Sequence, residues 1–524
     1  MHMHWANHAA IRLSQREGIQ TIASGITPSG SFHIGHLREI LTAEMIHRSC
    51  IDIGLQSRYI FIVDSMDPLR RVYPFLSEEY QDFIGKPLAN IPAPGPEGRP
   101  DPTLGSYADH FLRPFLVALK AIGVSPEIVM SHEVYSSGKM EAKIDEAISK
   151  RSEIREIIES ISGRELHEDW FPYNPLGSDG SFDGVKVVGY ENPYVHWIDE
   201  KGVEGKSDIR KGQGKMPWRV DWSARWGLHG ITCEPAGKDH GAAGGSYDTG
   251  IPISRTLGYE PPEKMVYEWI QIKGGGPMSS SSGNTIGPIE ALEIVPPEII
   301  RFLIARTKMG KHIDFDTGNM LFEIADEYER LSSNPPLVDV SAPRRKQVAA
   351  QTALGALKLS QIKPGEDPGS DQIPLRHLAM LAQVRSGDQE VWSSLVRSGH
   401  IEGLPSESLK TRLGKMRDWI ASDHFPDEHR IHISTKIPDA ILTGLSSSQK
   451  DFLLSLSVSL EACEWSEPEI NSALLRTMDD SELSRKECYS LVYKALIGRD
   501  RGPKVSTLIT ECDRSFMVNL LNSI

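Results

Sequence analysis

The feature that most constrains this chain is the run RYIFIV at residues 58–63, which is apolar at nearly every position. A strand with one wet face alternates apolar and polar residues, whereas a strand covered on both faces has no such need. The neighbouring segments show what covers it. Residues 21–24 are a strand candidate, followed by the small-residue loop GITPSGSF (25–32) and a helix carrying Leu37, Ile40, Leu41 and Met45 on one face. Further on, 107–122 has the pattern of an amphipathic helix, 127–130 of a strand and 139–161 of a long charged helix. Strands alternating with helices through parallel crossovers predict an α/β, doubly wound, Rossmann-type domain. Six prolines between Pro87 and Pro102 predict an extended surface loop.

From about residue 170 to 213 the texture changes to Gly, Asp, Asn and aromatic residues, with one plausible strand at 185–190. This reads as an insertion of short strands. The α/β texture resumes at Pro217 and continues past MVYEWIQIK (265–273), a strand candidate. After the loop 332–343 no strand is convincing, and helical patterns run through 348–360, 375–384, 409–420, 451–463 and 486–496. The expected plan is one α/β domain over 1–330, with its insertion at about 170–213, and an all-helical domain over 331–524.

Composition narrows the class. The five cysteines are scattered with no C-x-x-C pair, a reducing-compartment pattern that offers no Cys-built zinc site. No run of eighteen apolar residues and no leader-like apolar stretch occurs, so a soluble, cytoplasmic protein with no membrane partner is expected. Lys+Arg 57 against Asp+Glu 71 gives a net charge of −14, which taken whole argues mildly against a nucleic-acid partner.

Two loops carry chemistry. In GITPSGSFHIGHLREI a strand ends, a Gly/Ser-rich loop turns, and a helix opens at His33-Ile34-Gly35-His36. A helix N-terminus presents unpaired N–H groups that suit phosphate. Gly35 allows a nucleotide close to the backbone, and His33 and His36 share one face of the first turn, where imidazole donors can stabilise a phosphoryl transition state. Either histidine alone reads more simply as structural; the pair in this setting does not. The second loop is KGGGPMSSSSGN (273–284), directly after a strand. By itself it reads equally as a flexible linker. Its embedded Met and strand lead-in fit a mobile loop that closes over polyphosphate.

HIGH followed roughly 240 residues later by Met-Ser-Ser-Ser resembles the two signatures of class I aminoacyl-tRNA synthetases. The surrounding words, among them DPLRRVYPFL, WRVDWSARW, GKDHGAAGGSYDTG, KHIDFDTG and ALIGRDRGPKVSTLI, are similar to the archaeal-type class I lysyl-tRNA synthetases along nearly the whole chain. The resemblance implies a lysine–tRNA ligase that joins lysine to ATP as lysyl-adenylate and passes it to tRNA(Lys). It implies His33, His36, Met278, Ser279, Ser280 and Ser281 as the catalytic set. Thr27, Ser29, Gly30, Gly35, Asp239, Gly244 and Gly245 fall in its ATP-site segments, with Asp248 beside them. Gly25, Thr27, Asp64, Trp218, His240, Tyr267 and Glu268 fall in its lysine-site segments. Asp64 also reads as a turn cap, Trp218, Tyr267 and Trp269 equally as core aromatics, and the glycines as a tight strand-to-helix turn. Mg²⁺ is implied with ATP, and the helical domain as the reader of the anticodon, with residues 499–504 (RDRGPK) and Trp419 as candidates.

Two departures from the family pattern stand out. Pro277 and Ser282 occupy the flanks of the Met-Ser-Ser-Ser signature where relatives carry a cation, which predicts slower activation unless Lys273 substitutes. The insertion holds no cysteine where many relatives have a zinc knuckle, so no structural zinc is predicted. A glutamate-specific class I synthetase, an H-x-G-H nucleotidyltransferase of another kind, and a weakened paralogue that binds tRNA without charging it remain as alternatives. Charge distribution is compatible with tRNA: residues 201–220 hold six Lys/Arg against two acids, and 494–504 four against one. Oligomeric state has no signal in the sequence.

Overall fold

The computed structural model describes residues 4–272, 276–277, 286–316, 318–365, 373–423 and 425–524. They fall into two compact units, one of residues 1–292, 297–315 and 335–365, the other of 293–296, 316–334 and 366–524.

The first unit is built on five parallel strands, β1 (Gln20–Ile26), β2 (Ser57–Val63), β3 (Glu127–Met130), β4 (Ile231–Gly237) and β5 (Glu263–Tyr267). They lie in the order β5-β4-β1-β2-β3, the doubly wound arrangement expected. Winding reverses between β1 and β4, and such a switch point opens a crevice at the strands' carboxyl ends. β2 is buried from Tyr59 through Val63, which explains its uninterrupted apolar run. Helix α1 (Trp5–Leu13) packs on α2 (Ile34–Asp52), whose Leu37, Ile40, Leu41 and Met45 are fully buried. Helices α3 (Tyr107–Ala121), α4 (Trp218–His229) and α5 (Ser246–Thr256) follow.

Four details differ from the sequence reading. The Pro-rich stretch is not a surface loop throughout: Pro92–Pro94 pairs antiparallel with Pro100–Ser106, and Leu88, Ile91 and Ala93 are buried. A two-stranded hairpin has no central strand, so prolines cost it few ladder bonds. The charged helix expected over 139–161 breaks into Glu141–Ser149 and Arg151–Ser162 at Lys150, whose backbone (φ −101°, ψ 18°) leaves the helical region. MVYEWIQIK is two strands. Glu263–Tyr267 closes the main sheet, and Ile270–Ile272 pairs instead with Ile313–Phe315. The change of partner falls at Glu268, whose N–H donates to Met309 at 2.9 Å. Finally, the single boundary expected near 330 is replaced by interleaving. Buried Arg301 donates to the Leu359 carbonyl (2.9 and 3.0 Å) and the Ile122 carbonyl (3.1 Å) and pairs with Glu44 (2.7 Å). This ties the helix Arg344–Ser360 into the first unit.

The insertion is a three-stranded antiparallel meander, Val185–Glu191, Tyr194–Asp199 and Glu204–Asp208. Its base is closed by Asn174–Pro175 pairing with Gly214–Lys215. The second unit contains only helices among the described residues. Leu375–Val384, Glu407–Ala421, Ser447–Ala462 and Arg485–Ile497 answer four of the expected helical segments. Trp419 is 1% exposed and packs on Phe322 (5.1 Å) and Phe425 (4.9 Å), so it is a core residue and not a platform for a base. No helix of the described residues is long and apolar enough to cross a membrane.

Candidate active site

The crevice between β1 and β4 holds a cavity of about 280 Å³. From the α2 side it is lined by His33, Gly35, His36 and Glu39. From the β4 and β5 side it is lined by Gly237, Asp239, His240, Tyr267, Trp269 and Ile270. No arginine or lysine belongs to this described lining.

Local sequence sets the histidine geometry. His33 is the N-cap of α2: its Nδ1 accepts the Gly35 N–H at 3.1 Å, and His36 Nδ1 accepts the His33 N–H at 3.1 Å. The two rings thus form a reciprocal capping box in which imidazoles do what Ser and Glu usually do. Accepting an N–H requires a lone pair on Nδ1, so each neutral ring carries its proton on Nε2. His36 Nδ1 also lies 3.2 Å from the His33 carbonyl, but that oxygen already accepts the His36 N–H at 3.0 Å. Burial pushes His33 down to about 4, and burial plus its neighbour His33 pushes His36 down to about 3. Both are neutral at physiological pH, each with one fixed Nε2–H donor. His36 is braced edge-on by Phe32 at 5.1 Å, and Phe32 stacks on Phe115 at 4.2 Å.

Glu39 was not singled out from the sequence. One signal pointed to it: 33, 36 and 39 form a single i, i+3 stripe on α2. Its Oε1 accepts the Gly25 N–H (2.8 Å) and its Oε2 the Tyr267 hydroxyl (2.7 Å). Burial raises its carboxyl to about 8, against those two donors and with Glu234 and Asp239 adding to the rise. Gly25 has room above it: an added Cβ would stand 3.6 Å from Glu234 and 3.9 Å from Asp64 carboxylate oxygens. Glu234 is itself buried and accepts from Trp226 Nε1 at 2.7 Å.

Of the residues expected at the site, His33, Gly35, His36, Asp239, His240 and Tyr267 meet in the cavity. Asp64 does not. It is 2% exposed and bonded to Arg225 at 2.6 Å; burial raises its carboxyl to about 6 even though Arg225 opposes the rise. Trp218 is half-buried, stacked on Trp222 (5.4 Å) with the Arg225 guanidinium over its ring (5.3 Å), and lies outside the lining. Glu268 pairs with Lys238 at 2.7 Å. Gly244 (φ +72°) and Gly245, the N-cap of α5, shape the tight strand-to-helix turn, and Asp248 pairs with Lys264. Thr27, Ser29 and Gly30 lie in the loop leading to His33, where Thr27 donates to Asp67 (2.7 Å) and Ser29 accepts from the Tyr107 hydroxyl (2.7 Å). Met278, Ser279, Ser280 and Ser281, with Lys273 and Ser282, lie outside the described residues.

With the geometry in place, comparison with known proteins is decisive. The family model described as "tRNA synthetases class I (K)" matches residues 3–361. The chain belongs to the class I lysyl-tRNA synthetase family. The lysine–tRNA ligase of Archaeoglobus fulgidus is 36% identical over 511 residues, 97% of each chain. That of Picrophilus torridus is 35% identical over 525 residues, 100% of this chain and 99% of the other. That of Thermoplasma volcanium is 35% identical over 524 residues, again 100% and 99%.

The second unit has a separate cavity of about 770 Å³. Arg499, Arg501, Gly502 and Pro503 of the RDRGPK segment line it, together with Phe322 and His429.

Proposed function

We propose that this member of the family is a lysine–tRNA ligase, activating lysine with ATP and transferring it to the 3′ end of tRNA(Lys) for cytoplasmic protein synthesis. The observation that carries the reading is one cavity holding two fixed imidazole N–H donors and an acidic wall with no lysine or arginine among the described lining residues. Such a wall suits a cationic amino acid and offers a glutamate side chain no counter-charge.

In the first step a lysine carboxylate oxygen attacks the α-phosphorus of ATP. The new O–P bond forms as the bond to the β-phosphate oxygen breaks, and pyrophosphate leaves with the electron pair. His33 and His36, already neutral and oriented, donate Nε2–H to the phosphoryl oxygens as charge gathers there. Glu39 meets the lysine side-chain ammonium, and Tyr267 and Gly25 orient that carboxyl. Asp239 faces the nucleotide and His240 the lysine, and the Met278–Ser281 signature serves the triphosphate. In the second step a hydroxyl of the terminal ribose attacks the lysyl carbonyl and AMP departs. Mg²⁺ would offset the triphosphate charge; among the described residues no group of three or more His, Cys, Asp or Glu side chains is placed to hold an ion. In the helical unit the cavity beside Arg499 and Arg501 takes an unstacked anticodon base, with the guanidinium planes as stacking partners.

Lysine-dependent exchange of pyrophosphate into ATP tests the reading. Exchange with lysine and none with glutamate is expected. Exchange driven by glutamate, or tRNA binding without any exchange, would overturn it.

A further inference from the structure

Beneath the loop that runs from Thr27 to His33 lies a set of buried charged side chains that the chemistry above does not use. Lys215 stands at the base of the insertion, in the short strand Gly214–Lys215. Its side chain is 7% exposed, and its Nζ donates to Asp67 Oδ1 at 2.5 Å. The other carboxylate oxygen, Asp67 Oδ2, accepts from Thr27 Oγ1 at 2.7 Å. Thr27 opens the loop that runs to His33, and its carbonyl accepts the Ser29 N–H at 2.9 Å. One uninterrupted chain of polar contacts therefore runs from the insertion to the loop.

The insertion gains nothing obvious from burying an ammonium group there. A buried Lys–Asp pair contributes little net stability compared with an apolar pair of similar size. Its distinctive property is geometric, because a charge-assisted bond fixes Asp67 in one rotamer and so fixes where its second oxygen can hold Thr27. Asp67 is the nearest acid to the ammonium, and Asp221 Oδ2 stands farther off at 3.8 Å.

We infer that Lys215 is a positioning residue for amino-acid activation, acting through Asp67 to hold Thr27 and the loop before His33. The inference rests on the lysine–tRNA ligase reading for its kinetic consequence, though not for its structural one. It also gives the insertion a role in the active site of its own unit: displacement of the Gly214–Lys215 strand is felt at Thr27.

The test uses the full chain. Lys215→Met/Asp67→Leu replaces the ion pair with apolar groups of similar length, preserving the fold while removing the acceptor of Thr27. Thr27→Val removes the other end and leaves the ion pair intact, and Thr27→Ser keeps the hydroxyl. The relay predicts that the double variant and Thr27→Val each lower kcat of pyrophosphate exchange per folded active site at least tenfold, roughly the scale of one misplaced contact. It predicts that the triple variant is no worse than either, since serial links are not additive. It predicts that Thr27→Ser, which keeps the hydroxyl, keeps wild-type amide protection at residues 27–30. Hydrogen exchange read by mass spectrometry should show residues 27–30 losing protection in both the double variant and Thr27→Val. A purely structural role would lower the melting temperature and leave kcat per folded site unchanged; that result, or additive losses, or unchanged protection at 27–30, overturns the inference. If the double variant does not fold, Thr27→Val compared with Thr27→Ser decides alone. If wild-type protein shows no lysine-dependent exchange, the function reading fails, and the amide measurement still decides the relay.

Discussion

Glu39 offers a quantitative test of how the cavity selects lysine. With no cation beside it among the described residues, the Glu39 carboxyl is raised by burial to about 8, and Glu234 and Asp239 add to the rise. At pH 7 a group with that value is about nine-tenths protonated. A lysine ammonium held against it requires the carboxylate, so lysine binding at pH 7 should expel about 0.9 proton. The sign follows. Affinity for lysine rises as the pH is raised from 6 to 8, by up to about tenfold per pH unit, and levels off above 8. His33 and His36, lowered to about 4 and about 3, stay neutral throughout this window and contribute no slope. Stability of the empty protein runs the other way. The folded state holds the proton more tightly than the unfolded chain, so stability falls as pH rises from about 4.5 to about 8, at no more than about 1.4 kcal/mol per pH unit.

Glu39→Gln mimics the protonated form. Its amide oxygen can still accept the Gly25 N–H, so the empty cavity keeps its shape. The ammonium loses its counter-charge, and removing one member of a buried charged pair costs about 2–5 kcal/mol, which weakens lysine binding at least about thirtyfold. Titration calorimetry in buffers of different ionisation enthalpy reads proton release directly. Wild-type protein should release close to one proton per lysine at pH 7 and the variant close to none. Any pH slope that survives in Glu39→Gln belongs to groups other than Glu39. No proton release by wild type, or unchanged lysine affinity in Glu39→Gln, would refute the assignment of Glu39.

Three further outcomes are expected. Ser282→Lys restores a cation beside the Met-Ser-Ser-Ser signature and should raise the pyrophosphate exchange rate roughly tenfold or more, the scale of one well-placed donor on a developing charge; an unchanged rate sinks the idea. Elemental analysis of purified protein should find no stoichiometric zinc, since the insertion has no cysteine between residues 170 and 213. The affinity for tRNA should fall steeply with salt despite the net charge of −14, and Arg499→Ala should weaken tRNA binding while leaving lysine-dependent exchange intact. A flat salt dependence would remove the basic segments from the interface.

What the sequence made legible follows from how local each signal is. β2 announced itself through an unbroken apolar run, and α2 through its 3/4 spacing, because burial on one or two faces writes itself into neighbouring residues. The HIGH turn was legible because strand, Gly/Ser loop and helix cap are contiguous. Changes of partner were not. MVYEWIQIK looks like one strand because its residues all favour strands, while the break at Glu268 depends on Met309, some forty residues away. The helix Arg344–Ser360 packs with the first unit for the same reason: what holds it is the side chain of Arg301, which periodicity does not reveal. Asp64 shows the converse. A carboxylate at the carboxyl end of a central strand is well placed for a ligand, but Arg225, distant in sequence, had already taken it.

That last pairing bears on specificity. A cation does lie under the switch point. Arg225 is almost fully buried, yet it is bonded to Asp64 at 2.6 Å and stands 3.4 Å from Asp221, with the Trp218 ring against it. Held between two carboxylates, it has no charge left to offer a substrate carboxyl, and Gly25 faces the cluster through Glu234 and Asp64 oxygens, not through the guanidinium. Counted together, Asp64, Asp67, Asp221 and Glu234 outnumber Lys215 and Arg225, so the ground beneath the loop before His33 is acidic even though it contains both cations. The preference for lysine over glutamate is therefore not a matter of which charged residues are present near the cavity. It is set by which of them are already paired, and Glu39, in the cavity lining, is bonded to no cation among the described residues.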